Sequence, residues 1–115
     1  MDANAFLLLA TFTTHRTTRF DTHEAQVQFR ETFGVSASVC AIVWGLLTFH
    51  HLADLPSGAQ PIHLLWTLLF LKQYPTGRIM EALTHATRPT IRRLVWGIIS
   101  VMADMADDLV SFYQF

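Results

Sequence analysis

Basic side chains are concentrated in one short part of this 115-residue chain, and they are the residues best suited to chemistry. From Lys72 to Arg93 there are five positive charges against one negative charge, on Glu81, which leaves a local net charge of +4. The five are Lys72, Arg78, Arg88, Arg92 and Arg93. A guanidinium fork pairs with phosphate or with guanine, so this segment predicts contact with nucleic acid. The alternative is the solvated face of a helical domain.

Two helices separated by a tight break are predicted to position these side chains. Thr76 is an N-cap candidate for a short helix that runs to about Thr84. Thr87 or Arg88 starts the last long helix, and Pro89 falls in its first turn, where the missing N–H costs nothing. This order, over about residues 76–103, predicts a helix-turn-helix, whose second helix can enter a DNA major groove.

Apolar residues recur at helical spacing along the rest of the chain, and no strand pattern is convincing. The sequence therefore predicts an all-α fold, a single small domain of about five to six helices. Further helices are predicted at 3–14, 22–33, 36–52 and 61–73. The second lies between a capping-box-like pair, Asp21 and Glu24, and Gly34, and the fourth has Pro61 in its first turn. The third has Ser36 as its cap and an apolar repeat formed by Val35, Val39, Ile42, Val43, Leu46 and Phe49. We expect the aspartates from Asp104 to Asp108 to interrupt the last helix.

Two parts of unequal length are expected. Residues 1–20 would be an N-terminal apolar helix and a basic linker, and residues 21–115 the helical domain. The run from Thr11 to Arg19 is rich in threonine and arginine and lacks acids, which is also typical of an organellar transit segment.

The composition is unusually apolar, which keeps a membrane-associated alternative open. Hydrophobic residues make up 51% and charged residues 15% of the chain, against a usual charged share of about a quarter. No Asp, Glu, Lys or Arg occurs from Phe33 to Ala53, which is long enough for one membrane span. The same run contains serine, threonine and histidine, as a core helix would. The net charge of −1 gives no overall attraction to nucleic acid or to anionic lipid.

Other reactive side chains lack the spacing that catalysis or metal binding needs. Cys40 is the only cysteine and lies in an apolar run, which predicts a core residue. The adjacent His50 and His51 point about 100° apart on a helix, so no zinc site and no cofactor are expected. The three tryptophans, Trp44, Trp66 and Trp96, are expected to be core or interface anchors.

Three segments resemble the N-terminal region of DDE-type, Harbinger-like transposases and their domesticated derivatives. They are Phe29-Arg-Glu-Thr-Phe-Gly-Val-Ser36, His63-Leu-Leu-Trp-Thr-Leu-Leu-Phe-Leu-Lys-Gln-Tyr-Pro-Thr76 and Thr90-Ile-Arg-Arg-Leu-Val-Trp96. The resemblance covers about residues 20–110 and implies DNA binding without cleavage. The nuclease domain of that family would follow this region, and the clustered Asp104, Asp107 and Asp108 do not match its widely separated carboxylates.

The resemblance also implies roles for individual residues. Arg88 and Thr90 would lie at the start of the recognition helix, near base edges, with Arg92 and Arg93 in the next turn. Lys72 and Arg78 would contact phosphates. The family usually has glycine in the turn, whereas this chain has His85-Ala86.

Duplex DNA in the nucleus is the partner and location that follow from this resemblance. The alternative is a small hydrophobic helical subunit of a larger assembly, membrane-associated or organellar, whose apolar surface is covered by a second copy or by another protein. No enzymatic activity is expected.

Overall fold

The computed structural model describes residues 2–14 and 23–113, with side chains placed for residues 2–10 and 23–107. Throughout these residues the fold is helical, without strands, so the all-α prediction is confirmed. The helices are α1 (Ala3–Thr14), α2 (His23–Phe33), α3 (Ala37–His50), a short 3-10 helix (Leu52–Asp54), α4 (Pro61–Gln73), α5 (Gly77–Thr84) and α6 (Arg88–Tyr113).

Local capping chemistry sets most of these helix bounds. The Ser36 hydroxyl accepts a hydrogen bond from the Val39 N–H (3.2 Å), and the Thr76 hydroxyl accepts one from the Ile79 N–H (3.3 Å). Gly34, with φ +84°, closes α2 through its N–H to the Arg30 carbonyl (2.8 Å). These caps are at the predicted positions because each depends only on neighbours in sequence.

The centre of the fold is α4, which is apolar around its whole circumference. Such a helix is stable only when other elements surround it. It packs against α1, α2 and α3 and also against α6. Its buried residues are Leu64, Leu65, Trp66, Thr67 and Leu69, and the Thr67 hydroxyl donates to the His63 carbonyl (2.9 Å). α4 therefore joins the N-terminal helices to the segment that carries the arginines.

The N-terminal helix α1 belongs to the same core as the rest of the chain. Phe6 and Leu7 are buried, and α1 contacts α2, α3, α4 and α5. The predicted apolar helix at 3–14 has the predicted bounds. The predicted linker at 13–20 lies largely outside the described residues, and Asp21, half of the predicted capping box, lies wholly outside them.

One helix bound differs clearly from its prediction. α6 continues without a break to Tyr113, so the interruption expected from Asp104 to Asp108 is wrong. Val101 is buried and Met105 is half-buried, so the apolar stripe of α6 continues past the first aspartate. Asp104 and Asp107 lie on the exposed side of the helix, where a carboxylate need not be desolvated.

The helix α3 has two apolar faces, and the domain covers only one of them. The face built by Cys40, Trp44 and Leu47 is buried. The opposite face, formed by Val39, Ile42, Leu46 and Phe49, is exposed. The apolar repeat thus predicted the helix correctly, but most of it points away from the core of the domain.

In the described parts of the chain, length and apolar content decide whether a helix could cross a membrane. No single helix there is both long and apolar enough to cross a membrane. The pair α2 and α3 reaches that length and composition only together, and the pair is bent by 56° at its break.

Candidate nucleic-acid interface

A left-handed residue at the end of α4 redirects the chain into α5. Tyr74 has φ 49° and ψ 51°, and its N–H still donates to the Phe70 carbonyl (3.0 Å). Pro75 cannot continue the helix, and Thr76 then caps α5. As a result α5 packs against α6, the second helix of the candidate motif.

The turn between α5 and α6 contains a second left-handed residue, His85. Its φ is 55° and its ψ is 29°, and its N–H donates to the Glu81 carbonyl (2.9 Å). The Ala86 N–H donates to the Thr84 hydroxyl (3.3 Å). This is the conformation that glycine adopts most easily, so histidine takes a backbone geometry for which the resembled family usually has glycine.

The residue at position 85 therefore has a predictable effect on stability. We expect His85→Gly to unfold at a higher urea concentration than His85→Ala, with a difference of about 1 kcal/mol in the free energy of unfolding. Both variants remove the imidazole, so the difference isolates the cost of a β-carbon at positive φ. At position 82, on the exposed side of α5, alanine should be the more stable residue, and Ala82→Gly should lower the free energy of unfolding by about 1 kcal/mol. Equal stability of the two variants at position 85 would contradict the left-handed assignment.

Arg88 is held across both helices of the motif. Its Nε donates to Glu81 Oε1 (2.5 Å), and the guanidinium lies over Gly77, where a β-carbon would come within 2.9 Å of Nε. Both side chains remain well exposed, at 60% for Arg88 and 40% for Glu81, so the ion pair contributes less than about 1 kcal/mol to folding. The pair orients α6 against α5 but keeps Arg88 close to solvent.

Arg93 also has a partner within the fold. Its Nη1 donates to the Ser57 carbonyl (2.8 Å) in the loop that precedes α4. The pKa of His63 lies below its usual range because the ring is partly buried and because the Arg93 charge is nearby. The neutral His63 Nδ1 accepts a hydrogen bond from the Gln60 N–H (2.9 Å), which caps α4. Arg93 therefore fastens the start of α4 while the rest of its guanidinium faces solvent.

Arg92 differs from the other two arginines. Its side chain is exposed and makes no hydrogen bond or ion pair to any other described residue. Arg92 lines a shallow depression together with Arg88, Pro89 and Arg93. The free guanidinium at the exposed start of α6 is the one best placed for an anionic ligand.

An apolar groove of about 270 Å³ adjoins these arginines, between the end of α4, α5 and the first turns of α6. Trp96 lies along the groove with 53% of its surface exposed, and its ring meets Phe70 edge to face at 5.7 Å. The lining residues are Phe70, Pro75, Gly77, Met80, Arg88, Ile91, Arg92, Val95 and Trp96. Trp44 and Trp66 are buried, as the core alternative predicts, whereas Trp96 is exposed and leaves only the interface alternative for that residue.

The remaining predicted site residues do not gather around Arg92. Thr90 accepts a hydrogen bond from the Thr87 hydroxyl (3.1 Å) and points about 160° away from Arg92 around the helix. The stem of Lys72 packs against Gly34, at the turn between α2 and α3. Arg78 is exposed on α5. The structure thus brings Arg88, Arg92 and Arg93 to one depression, and Thr90 and Lys72 do not line it.

Three contacts of this site have no signal in the sequence. Glu81 reaches Arg88 across the turn, the Ser57 carbonyl reaches Arg93 from another loop, and Phe70 meets Trp96. Each contact joins residues from different elements, whereas helix caps and apolar periodicity depend on residues that are close in sequence.

Other reactive groups in the described chain are not assembled into a site. Cys40 is buried, as predicted, and burial raises the pKa of its thiol to about 12. His51 Nδ1 lies 3.6 Å from Asp54 Oδ2. Among the described residues no group of three or more His, Cys, Asp or Glu side chains is arranged to hold a metal ion.

Comparisons with family models, with curated proteins and with solved structures find no match to this chain.

Proposed function

We propose that this chain binds duplex DNA through the helix-turn-helix formed by α5 and α6. The observation that carries the proposal is the exposed cluster of Arg88, Arg92 and Arg93 in the first two turns of α6, directly after a short helix and a tight turn. In helix-turn-helix proteins the N-terminal residues of the second helix contact base edges, and other basic residues hold the phosphates.

The distribution of charge along α6 supports the same proposal. A helix is stabilised by acidic residues at its N-terminus and basic residues at its C-terminus. α6 has no acidic residue in its first turn and no basic residue in its last turn, and Asp104 and Asp107 lie in its C-terminal half. This arrangement is the less favourable one for an isolated helix. An anionic ligand at the basic end would offset that cost, since it would meet both the arginines and the positive end of the dipole.

The proposal extends to origin and location through the resemblance stated above. We assign the chain to the DNA-binding part of a DDE-type transposase or a domesticated derivative, acting in the nucleus by binding alone. The left-handed turn at His85 supports this assignment, because a residue other than glycine adopts the geometry that the family usually builds with glycine. Lys72 and Arg78 are then phosphate contacts at the periphery, on the α2–α3 turn side and on α5.

A salt titration tests the proposal. The purified chain is titrated with a random duplex of about 30 base pairs at several salt concentrations between 50 and 200 mM. With five phosphate contacts, from the three arginines together with Lys72 and Arg78, the slope of log K against log salt should be about −4.5. The triple variant Arg88→Ala, Arg92→Ala, Arg93→Ala should lose most of this slope and at least about 100-fold in affinity.

Controls separate binding from folding in that experiment. Arg30→Ala removes an exposed arginine from α2 and should leave the affinity within about twofold. Circular dichroism of the triple variant establishes that its helices are retained. Undiminished binding by a folded triple variant, or no binding by the unaltered chain at low salt, would overturn the proposal.

Removal of the Glu81 charge that pairs with Arg88 is expected to raise DNA affinity, whereas the arginine substitutions lower it. We expect Glu81→Gln to raise DNA affinity about threefold to tenfold, because the Arg88 guanidinium then pairs with phosphate alone. Glu24→Gln makes the same charge change at an exposed site on α2 and should have little effect. Equal gains from both variants would show that net charge, and not Arg88, controls affinity.

A second candidate function is that of a small helical subunit whose apolar surface is covered by another protein. The exposed apolar face of α3 favours it. This candidate predicts no affinity for DNA at low salt, so the same titration discriminates between the two functions.

A further inference from the structure

The exposed face of α3 carries a spacing that is specific to paired helices. Val39, Ile42, Leu46 and Phe49, hereafter the α3 seam, follow one another at intervals of three, four and three residues. This is the alternation of a and d positions in a heptad repeat, here over two heptads. The same helical spacing places Cys40, Trp44 and Leu47 on the opposite side of α3, where they are buried in the domain.

The α3 seam is large enough to require an explanation. Phe49 is 82% exposed and Ile42 is 62% exposed, and Leu52 extends the patch at the end of the helix. Together these side chains expose on the order of 500 Å² of apolar surface, near the upper end of what a monomer shows in one patch. A patch of this size marks an interaction site more often than scattered surface leucines do.

The surroundings of the α3 seam define the chemistry of what covers it. Ser38 and Gly45 flank the seam, both exposed, and a β-carbon on Gly45 would meet nothing within 4 Å. Small flanking residues let another backbone approach closely. No Asp, Glu, Lys or Arg lies between Phe33 and Ala53, so α3 itself offers a partner no acidic residue, lysine or arginine to pair with. The fitting partner is therefore an uncharged apolar helix with matching knobs and holes.

We propose that the α3 seam pairs with the α3 seam of a second copy of this chain, which forms a twofold symmetric dimer. A heptad seam is self-complementary, because the side chains that act as knobs also form the holes of the facing helix. The chain thus supplies the helix that its own surface fits. Two α3 seams, each extended by Leu52, bury about 1,000 Å² in total when fully covered, which reaches the lower bound for a specific interface.

Packing within each copy favours this association. α3 is already held by its buried face and by the Ser36 cap, so pairing does not have to order a free helix. With an interface near the lower size limit, we expect a dissociation constant of about 1 to 100 μM.

Sedimentation equilibrium of the purified full chain between about 1 and 300 μM tests the dimer. Ile42→Lys should raise the dissociation constant at least about 100-fold, because each interface then contains two buried ammonium groups. Ile79→Lys is the matched control, since Ile79 is 50% exposed on α5 and lies off the seam. A dimer that survives Ile42→Lys overturns the proposal, as does equal loss in both variants or a monomeric unaltered chain at 300 μM.

Cross-linking gives a second measurement that does not place a charge on the helix. The double variant Ile42→Cys, Leu46→Cys should form a disulfide-linked dimer under mild oxidation in either helix orientation, whereas Ile79→Cys should not. The two new cysteines cannot bridge within one helix, because β-carbons four residues apart are farther apart than a disulfide allows. The native Cys40 does not compete, since its buried thiol has its pKa raised to about 12. Absence of the linked dimer would count against the proposal.

A lipid surface is the other occupant that the experiment can reveal. The chain is mixed with vesicles of phosphatidylcholine, which carry no net charge, and floated through a density gradient. Flotation of a chain that sediments as a monomer, lost in Ile42→Lys, would assign the α3 seam to lipid and overturn the dimer. All these measurements are made without DNA, so their outcome is independent of the proposed function.

Discussion

An Arg92→Glu variant is expected to bind duplex DNA at least about 100-fold more weakly than the unaltered chain. Arg92 is exposed near the start of α6, and its side chain makes no hydrogen bond or ion pair to any other described residue. Removal of one arginine contact costs about 1 to 3 kcal/mol, and the introduced carboxylate also repels the phosphates. Fluorescence anisotropy with a labelled duplex at 50 mM salt measures the loss.

The same variant should be at least as stable as the unaltered chain. A glutamate near the start of α6 complements the helix dipole and lies four residues after Arg88, with which it can pair. Because residue 92 follows the first turn of α6, the gain in the free energy of unfolding should be no more than about 0.5 kcal/mol, measured by urea unfolding. Weaker binding together with equal or greater stability separates a ligand contact from a structural one.

The matched control for this charge reversal lies on α2. Arg30→Glu makes the same change of two charge units at an exposed position away from α6, and we expect it to reduce affinity less than about threefold. Comparable losses in the two variants would mean that overall charge governs binding, and the role given to Arg92 would be wrong. A destabilised Arg92→Glu variant would likewise contradict the absence of an internal partner.

A Leu65→Ala variant should show the largest change in stability, a loss of about 3 to 5 kcal/mol. Leu65 is fully buried on α4, the helix that contacts both the N-terminal helices and α6, so the cavity is enclosed from several sides. A domain of this size has about 6 to 17 kcal/mol of total stability, so the loss is a large part of it. Urea unfolding followed by circular dichroism measures the effect.

Leu71→Ala is the control for this variant, because it makes the same change on the same helix. Leu71 is 40% exposed and should lose about 1 kcal/mol or less. Nearly equal losses at positions 65 and 71 would contradict the placement of α4 at the centre of the fold.

Much of the fold is predictable from the sequence because its helix ends are set locally. The Ser36 and Thr76 caps, the turn at Gly34 and Pro61 in the first turn of α4 all act within four residues of their partners. Helix starts therefore follow from residue types alone.

Which face of each helix is buried is less predictable, since burial depends on which elements pack against each other in the fold. Every side of α3 is apolar, so periodicity identifies the helix but does not say which face meets α1 and α4. The sequence also suggested that the aspartates from Asp104 to Asp108 interrupt α6. Whether an aspartate interrupts a helix depends on its exposure, and Asp104 and Asp107 both face outward.

The candidate site was predictable in composition but not in geometry. The arginines and the short helix before them stand out in the sequence. Their contacts with Glu81 and with the Ser57 carbonyl join distant elements, and so does the packing of Lys72 on Gly34. These contacts distinguish Arg92 from Arg88 and Arg93, three residues that look equivalent when only their types and spacing are known.

The uninterrupted helix α6 holds basic residues near its start and acidic residues toward its end, so charge is separated along its length. Arg92 and Asp107 are separated by fifteen residues of one helix, or about 22 Å, which exceeds the Debye length of about 8 Å at physiological ionic strength. A polyanion therefore experiences the two ends separately and is hardly affected by the overall charge of −1. A polyanion attracts the basic end of α6 and repels the acidic end, so under the proposed function the chain would be rotated toward DNA before contact. Such steering should act mainly on the association rate and should fade as salt is added.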